Sequence, residues 1–173
     1  MQPRHPLPRL WLMTDERMGD ALLPAIARLP RGAGIVFRHY RLSPAERRAL
    51  WDRVRAAVRG RGIVLIAAGP VLPGAQGCHN RRCCGIQTRS AHNLRELRAA
   101  ERAGADLVFL SPVFATRSHP GARPLGAARF ARLARMARVP VVALGGMTGA
   151  RATTLLTGGA AWAGIDAFMM VDG

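Results

Sequence analysis

The sequence contains no lysine: all 26 of its basic residues are arginine, against 10 Asp and Glu, for a formal charge of +16. An excess of this size normally suggests a phosphate backbone as partner. The total absence of lysine argues otherwise, because it marks a coding bias in which arginine is simply the solubilising residue of every helix face. The arginines are spread along the chain (Arg47, Arg48, Arg53, Arg55, Arg95, Arg98, Arg132, Arg135), and aromatics, at 5%, are too few to stack bases between them. Nucleic acid is therefore not expected as a partner. Only three cysteines occur, Cys78, Cys83 and Cys84. An odd number in a chain of this size argues against a disulfide framework and for reduced thiols in a cytoplasmic protein. Long hydrophobic runs are missing too. None approaches the ~18 residues of a membrane span, and the opening MQPRHPLPRLWLM is broken by prolines and Arg9. Neither a span nor a secretory signal is expected.

What remains is ample material for one core. With 173 residues and 49% hydrophobic content, the chain fits one domain, residues 1–173, on the prior of roughly 100–200 residues per domain. Short apolar runs bounded by Gly and Pro recur: RLWLM, AGIVFRHY, GIVLIAAG, DLVFLSPVF, VPVVALGG and AGIDAFMM. They suit strands buried on both faces. QGCHN and CGIQT are weaker candidates that bring the count to eight.

Amphipathic helices lie between several of these runs. In SPAERRALWDRVRAAVRG, Ser43 is the candidate N-cap, Pro44 the first helical residue and Glu46 the partner in a capping box. Ala49, Leu50, Val54, Ala57 and Val58 form its expected inner stripe. In NLRELRAAERAGA, Asn93 and Glu96 cap the start, Leu94, Leu97 and Ala100 face inward, and Gly104 is the stop. PLGAARFARLARMAR presents Phe130, Leu133 and Ala137. Repeated strand–helix–strand units imply a parallel sheet with helices outside it, and eight strands close a (βα)8 TIM barrel whose chemistry sits on the loops after the strands' C-terminal ends. SPVFATRSHPGARPLG, Ser111 to Gly126, is such a loop.

That loop, followed by VPVVALGGM, resembles the thiamine phosphate synthase and TenI family, whose segments read approximately GPVFxTxTK…PLG and PVVAIGGI. LWLMTDER, GIVFRHY, QGCHN and GIQTRSAHNLRELRAAERAGADLVFLSPVF stand in the order of the family's opening strand, its VQLREK strand, its DGVHLG strand and its IGxSxH helix start. The resemblance implies a transferase that joins a hydroxymethylpyrimidine diphosphate to a thiazole phosphate, releasing pyrophosphate, with Mg²⁺ and cationic side chains offsetting the leaving group's charge. By the same resemblance Arg38 and Ser90 face pyrophosphate, Thr116 and Ser118 are the hydroxyls of a thiazole phosphate cup, Gly145 and Gly146 supply its close backbone, and Ile165 belongs to its last-strand side. His119 stands where the family has a catalytic-loop lysine, so its help to an anion depends on pH.

Other departures concern the metal. Ala67 and Ala68 occupy the places of an Asn and a Mg²⁺-binding aspartate, and CHNRRCCG replaces the segment with the second aspartate. The hard oxygen ligands that Mg²⁺ takes are missing, and no metal ligand is assigned in this chain. A zinc site of Cys78, Cys83, Cys84 and His79 fits poorly, since adjacent cysteines do not make the usual pair. His79 and His92 correspond to the family's barrel and helix-start histidines and are read as structural. Phe37, His39 and Tyr40 alter the pyrimidine-facing wall, and Asp166 falls where a carboxylate would repel a phosphate. The gaps after the third and fourth strands are too short for the family's helices. That truncation predicts exposed apolar outer faces, covered by a second copy of the chain in a homodimer. Three readings follow: a synthase-like transferase with His119, Arg38 and Arg117 or Arg81 compensating charge, a TenI-like thiazole tautomerase, or a non-catalytic thiazole or thiamine phosphate-binding protein.

Overall fold

A computed structural model describes residues 6–117, 121–155 and 161–169. Eight parallel strands close into a barrel in chain order: β1 (Leu10–Met13), β2 (Gly34–Phe37), β3 (Val64–Ala68), β4 (Gly77–His79), β5 (Ile86–Ala91), β6 (Leu107–Leu110), β7 (Val141–Ala143) and β8 (Ala161–Gly164). Closure is made by β1, which pairs with β2 on one side and β8 on the other, with Leu10, Trp11 and Leu12 opposite Trp162, Ala163 and Gly164. Five α-helices are present among the described residues: α1 (Leu22–Arg28), α2 (Pro44–Ala57), α3 (Leu94–Arg102), α4 (Gly126–Met136) and α5 (Gly149–Leu155). The last strand differs from expectation. It begins two residues before AGIDAFMM and stops at Gly164, and Asp166–Phe168 is a 3-10 turn.

The helix signals act as their chemistry dictates. Ser43 and Glu46 form the reciprocal capping box at α2. Asn93 accepts from the Glu96 amide at α3. The end of α3 is a Schellman turn in which the Ala105 and Gly104 amides donate to Ala100 and Glu101, with Gly104 supplying the left-handed residue (φ 78°). Two inward faces need correction. The buried positions of α2 are Arg47, Trp51, Val54 and Val58, while Ala49 and Ala57 are exposed. Leu94 is exposed at the first turn of α3, and Leu97 and Ala100 are buried. In α2 the ring of Trp51 packs edge-on against Phe37 of β2, 5.4 Å between centroids, so the large aromatic, not the alanines, sets the helix rotation.

The barrel interior is filled by large side chains from non-adjacent strands. Trp11 meets Phe109 edge-to-face at 5.5 Å, and His79 meets Phe109 at 5.6 Å. The Trp11 ring lies over Gly34, where an added Cβ would come within 2.2 Å of it. One strand thus gives up its side chain so that its neighbour's indole fits, the alternation of large and small by which such barrels fill.

The connections after β3 and β4 contain no helix, as the spacing predicts. The apolar gap expected there does not occur. Residues 69–76 fold down on α2: Leu72 is buried, the Trp51 indole donates to the Pro73 carbonyl at 2.9 Å, and buried Arg47 donates to the carbonyls of His39, Ala68 and Pro70. All of β4 and most of β3 are buried, and the large apolar side chains exposed among the described residues are Tyr40, Val71 and Leu94. The observation that motivated a homodimer is therefore absent. The cysteine expectation is also overturned, because Cys78 and Cys83 are joined in a disulfide and only Cys84 is a free, exposed thiol. Cys78 stands opposite Ala67 and Gln87 in the sheet, so the bridge ties the β4–β5 loop to its own strand where an outer helix is missing.

Two outcomes check this packing. Gly34→Ala forces a methyl into the Trp11 ring and lowers unfolding stability by about 1–3 kcal/mol, read by urea denaturation. Thiol titration of the unfolded, unreduced protein yields one reactive cysteine, with all 3 appearing after reduction; three without reduction would contradict the bridge.

Candidate functional site

The C-terminal ends of β2, β5, β6, β7 and β8 surround one cavity of about 360 Å³. Its floor and walls come from the loops a TIM barrel uses for chemistry. Arg38 enters from β2, His92 from β5, Thr116 and Arg123 from the β6–α4 loop, Gly145 and Gly146 from the end of β7, and Ile165 and Asp166 from β8.

Two of these loops are locked together backbone to backbone. The Val113 and Phe114 amides donate to the Leu144 and Gly145 carbonyls, at 2.9 and 3.0 Å. A Cβ on Gly145 would lie 2.7 Å from the Pro112 Cα, and one on Gly146 would lie 2.4 Å from the Ala115 carbonyl oxygen; both glycines also have positive φ, 91° and 62°. No other residue fits this approach without displacing the β6 loop. The amides of Gly145 and Gly146 donate to no backbone carbonyl among the described residues, and turns of this kind are suited to receiving an anion.

Arg38 is oriented from beneath. Its Nε donates to the Thr14 carbonyl at 3.0 Å, and its Nη2 lies 3.4 Å from Asp15 Oδ2. Burial pulls the guanidinium below its usual pKa, and the Asp15 charge opposes that. Burial also raises the Asp15 carboxyl, but the hydrogen bonds and charge of Arg17, with Arg38, outweigh it and hold Asp15 below the ordinary carboxylate range. Asp166 lines the cavity with Oδ1 4.0 Å from Arg17 Nη2. The expected repulsion of a phosphate is thus partly offset by a neighbouring cation.

Below the cavity sits a neutral polar group. His79 is buried, with Nδ1 2.9 Å from Thr88 Oγ1 and Nε2 3.1 Å from Ser90 Oγ. Burial, then the charges of Arg38 and Arg89, push its pKa from 6.5 to about 3. The ring stays uncharged and fixes the Ser90 hydroxyl.

The structure therefore brings Arg38, Thr116, Gly145, Gly146 and Ile165 to one cavity. Ser90 is not in its lining and is engaged with His79 instead. Ser118 and His119 lie outside the described residues. His92, read from sequence as structural, lines the cavity, its Nδ1 donating to the Ser111 carbonyl at 2.7 Å. Arg123 was not singled out by its sequence context, though it sits in the same polar loop as Thr116.

A Mg²⁺ site does not fit. Ala67 and Ala68, at the family's ligand positions, are buried and offer no side-chain oxygen. Among the described residues no group of three or more His, Cys, Asp or Glu side chains could hold a metal ion. The rim carboxylates Asp15 and Asp166 are turned to arginines, and the sulfurs of Cys78 and Cys83 are bonded to each other.

The fold and site define a parallel β/α barrel with a small-molecule-sized cavity where the glycine turn after β7 meets the hydroxyl loop after β6. The chain belongs to the thiamine monophosphate synthase and TenI family, whose model matches residues 80–168, just over half of the chain. It is 35% identical over 150 residues to the thiamine-phosphate synthase of Anaeromyxobacter dehalogenans, a match covering 75% of this chain and 68% of that one. It is 46% identical over 59 residues to a putative thiamine-phosphate synthase 2 of Aquifex aeolicus, covering 34% of this chain and 32% of the other. The chain thus spans about a third of one of these curated relatives and two thirds of the other. In fold it matches the thiamine phosphate pyrophosphorylase of Pyrococcus furiosus with a TM-score of 0.78 at 21% identity, covering 96% of this chain and 89% of that one.

The neutral buried imidazole makes stability depend on pH with a definite sign. The unfolded chain takes up a proton near pH 6.5 and the folded His79 only near 3, so the unfolded state binds more protons between those values and stability falls as pH drops through that window. At about 1.4 kcal/mol per pH unit, the protein loses about 2 kcal/mol on going from pH 6.5 to 5. His39, also pushed down by burial, acts in the same direction. Urea unfolding at both pH values checks this, with His79→Gln expected to flatten the slope; an unchanged slope in the variant would refute the assignment.

Proposed function

We propose that the protein is a synthase-like transferase of thiamine biosynthesis, joining a hydroxymethylpyrimidine diphosphate to a thiazole phosphate with release of pyrophosphate. The observation that carries this reading is the shared cavity: the Thr116 hydroxyl and the Gly145–Gly146 turn line the same space as Arg38 and Ile165. In the reaction the bond between the pyrimidine methylene and the diphosphate oxygen breaks, its electron pair leaving with pyrophosphate. The thiazole nitrogen then supplies the pair for the new carbon–nitrogen bond.

The chain's residues contribute placement and charge. Thr116 and the amides of Gly145 and Gly146 hold the thiazole phosphate in line with the reacting carbon, which lowers the entropic part of the barrel-rim reaction. Arg38 stabilises the negative charge that develops on the leaving group, and Asp15 and Thr14 keep its fork aimed. Ser90 is held by neutral His79 outside the cavity lining and has no direct part in this reading. No helix among the described residues is long and apolar enough to cross a membrane. A homodimer is not required, since the short connections cover their own strands.

One observation favours a second reading. The missing metal carboxylates suit a protein that binds the thiazole phosphate and does not turn it over.

Incubation of the purified protein with both phosphorylated precursors and Mg²⁺, followed by detection of thiamine phosphate, separates the two. Product formation is expected, and Thr116→Val is expected to raise KM for the thiazole phosphate about tenfold, the loss of one hydrogen bond to a charged group. Binding of the thiazole phosphate without any product would leave the second reading in place. Unchanged affinity in Thr116→Val would mean the ester sits elsewhere.

A further inference from the structure

The sequence assigns His39 to the pyrimidine-facing wall, yet His39 is not in the cavity lining. Its ring is buried flat against Phe37, 4.7 Å between centroids, and Phe37 in turn meets Trp51 of α2. We propose that His39 is a positioning residue for Arg38 and acts through the Thr14 hydroxyl. This rests on the reading of Arg38 as the group that meets the leaving diphosphate, and adds what sets its aim.

Thr14 is the junction. It is fully buried, and its Oγ1 accepts the Arg38 amide at 2.9 Å and lies 3.0 Å from His39 Nδ1. A hydroxyl has one proton to donate, and among the described residues Oγ1 has no third partner. A buried donor left unmet is costly, so the proton goes to Nδ1. Nδ1 must then be bare, which is the neutral tautomer with its proton on Nε2. The surroundings keep the ring neutral: burial pulls its pKa down, Glu16 and Asp15 on the loop after β1 oppose that, and Arg47 of α2 and neighbouring Arg38 add to it. The main chain around the ring is held as well. Arg47 Nε donates to the His39 carbonyl at 2.9 Å, and the Tyr40 and Arg41 amides donate to Glu16 Oε1. An imidazole fixed in ring and backbone thus fixes the direction of the Thr14 hydroxyl. The same threonine carries Arg38 twice, by its amide and, through the Thr14 carbonyl, by its Nε at 3.0 Å. Without an acceptor at Nδ1 the hydroxyl is free to turn, which releases the Arg38 amide and with it the register in which Nε meets that carbonyl.

Calorimetry of inorganic pyrophosphate on the full chain, run as a double-variant cycle, tests the proposal. Arg38→Gln is expected to weaken binding about tenfold and His39→Leu about fivefold. The two together are expected to bind no more weakly than Arg38→Gln alone, because His39 acts only through Arg38. His39→Asn, whose Oδ1 stands in for Nδ1 as an acceptor, restores affinity to within about twofold of the unmodified protein. Thr14→Val runs the same cycle without touching the buried ring and is expected to behave as His39→Leu does. Losses that add in the combined variants would mean that His39 and Thr14 act on the fold at large, and would overturn the inference. So would a His39→Asn protein that binds no better than His39→Leu. Pyrophosphate binding that Arg38→Gln leaves unchanged, or that the unmodified protein lacks, would instead defeat the reading of Arg38, and the inference with it.

Discussion

Everything at the functional rim depends on closure of the strand ring between β1 and β8. Once β1 pairs on both sides, each strand has two parallel neighbours and no edge is left to pair with another chain. All eight C-terminal ends then point the same way. Five of them converge on one cavity of about 360 Å³. The Trp11 ring makes closure possible from within by occupying the volume that Gly34 leaves empty, with Phe109 and His79 filling the interior from the opposite side.

Losing two outer helices normally leaves apolar strand faces in water. Here one buried arginine and one tryptophan on α2 stand in for them. Arg47 ties together the ends of β2 and β3 and the start of the loop beyond, and it lies over the Phe37 ring, 5.5 Å from its centroid. A buried guanidinium is costly unless its donors are met, and the carbonyls freed at strand ends need donors of their own. Each requirement answers the other. The disulfide closes the same flank at β4, so the shortened half of the barrel is held by polar and covalent ties where the other half is held by α3 and α4 packing on β5 and β6.

The rim shows the same economy in charge. Family members that use Mg²⁺ need carboxylates around it, whereas this chain places alanines there and pairs its remaining rim carboxylates with arginines. The absence of lysine gives this substitution a sequence-level setting: every fixed side-chain cation available to the site is a guanidinium. Below the rim, His79 stays neutral because burial outweighs hydration of its charged form, so it orients Ser90 without adding charge.

The sequence by itself determined the strand count, the capped starts of α2 and α3, the two missing helices and the pairing of a hydroxyl loop with a double glycine. The strands and caps rest on local chemistry and the spacing of apolar runs, while the missing helices and the pairing of the hydroxyl loop with the double glycine are what the resemblance to the family implies. It could not reveal what lies opposite what. The alanine and leucine spacing of α2 puts Ala49 and Ala57 on its inner face, whereas the packing of Trp51 on Phe37 sets the rotation. Cys78 and Cys83 looked like spare thiols until the turn after β4 brought them together. The cover over β3 and β4, and the place of His92 and Arg123 in the cavity, were likewise decided in three dimensions. Burial and charge pairing depend on neighbours far along the chain, and ring closure alone chooses those neighbours.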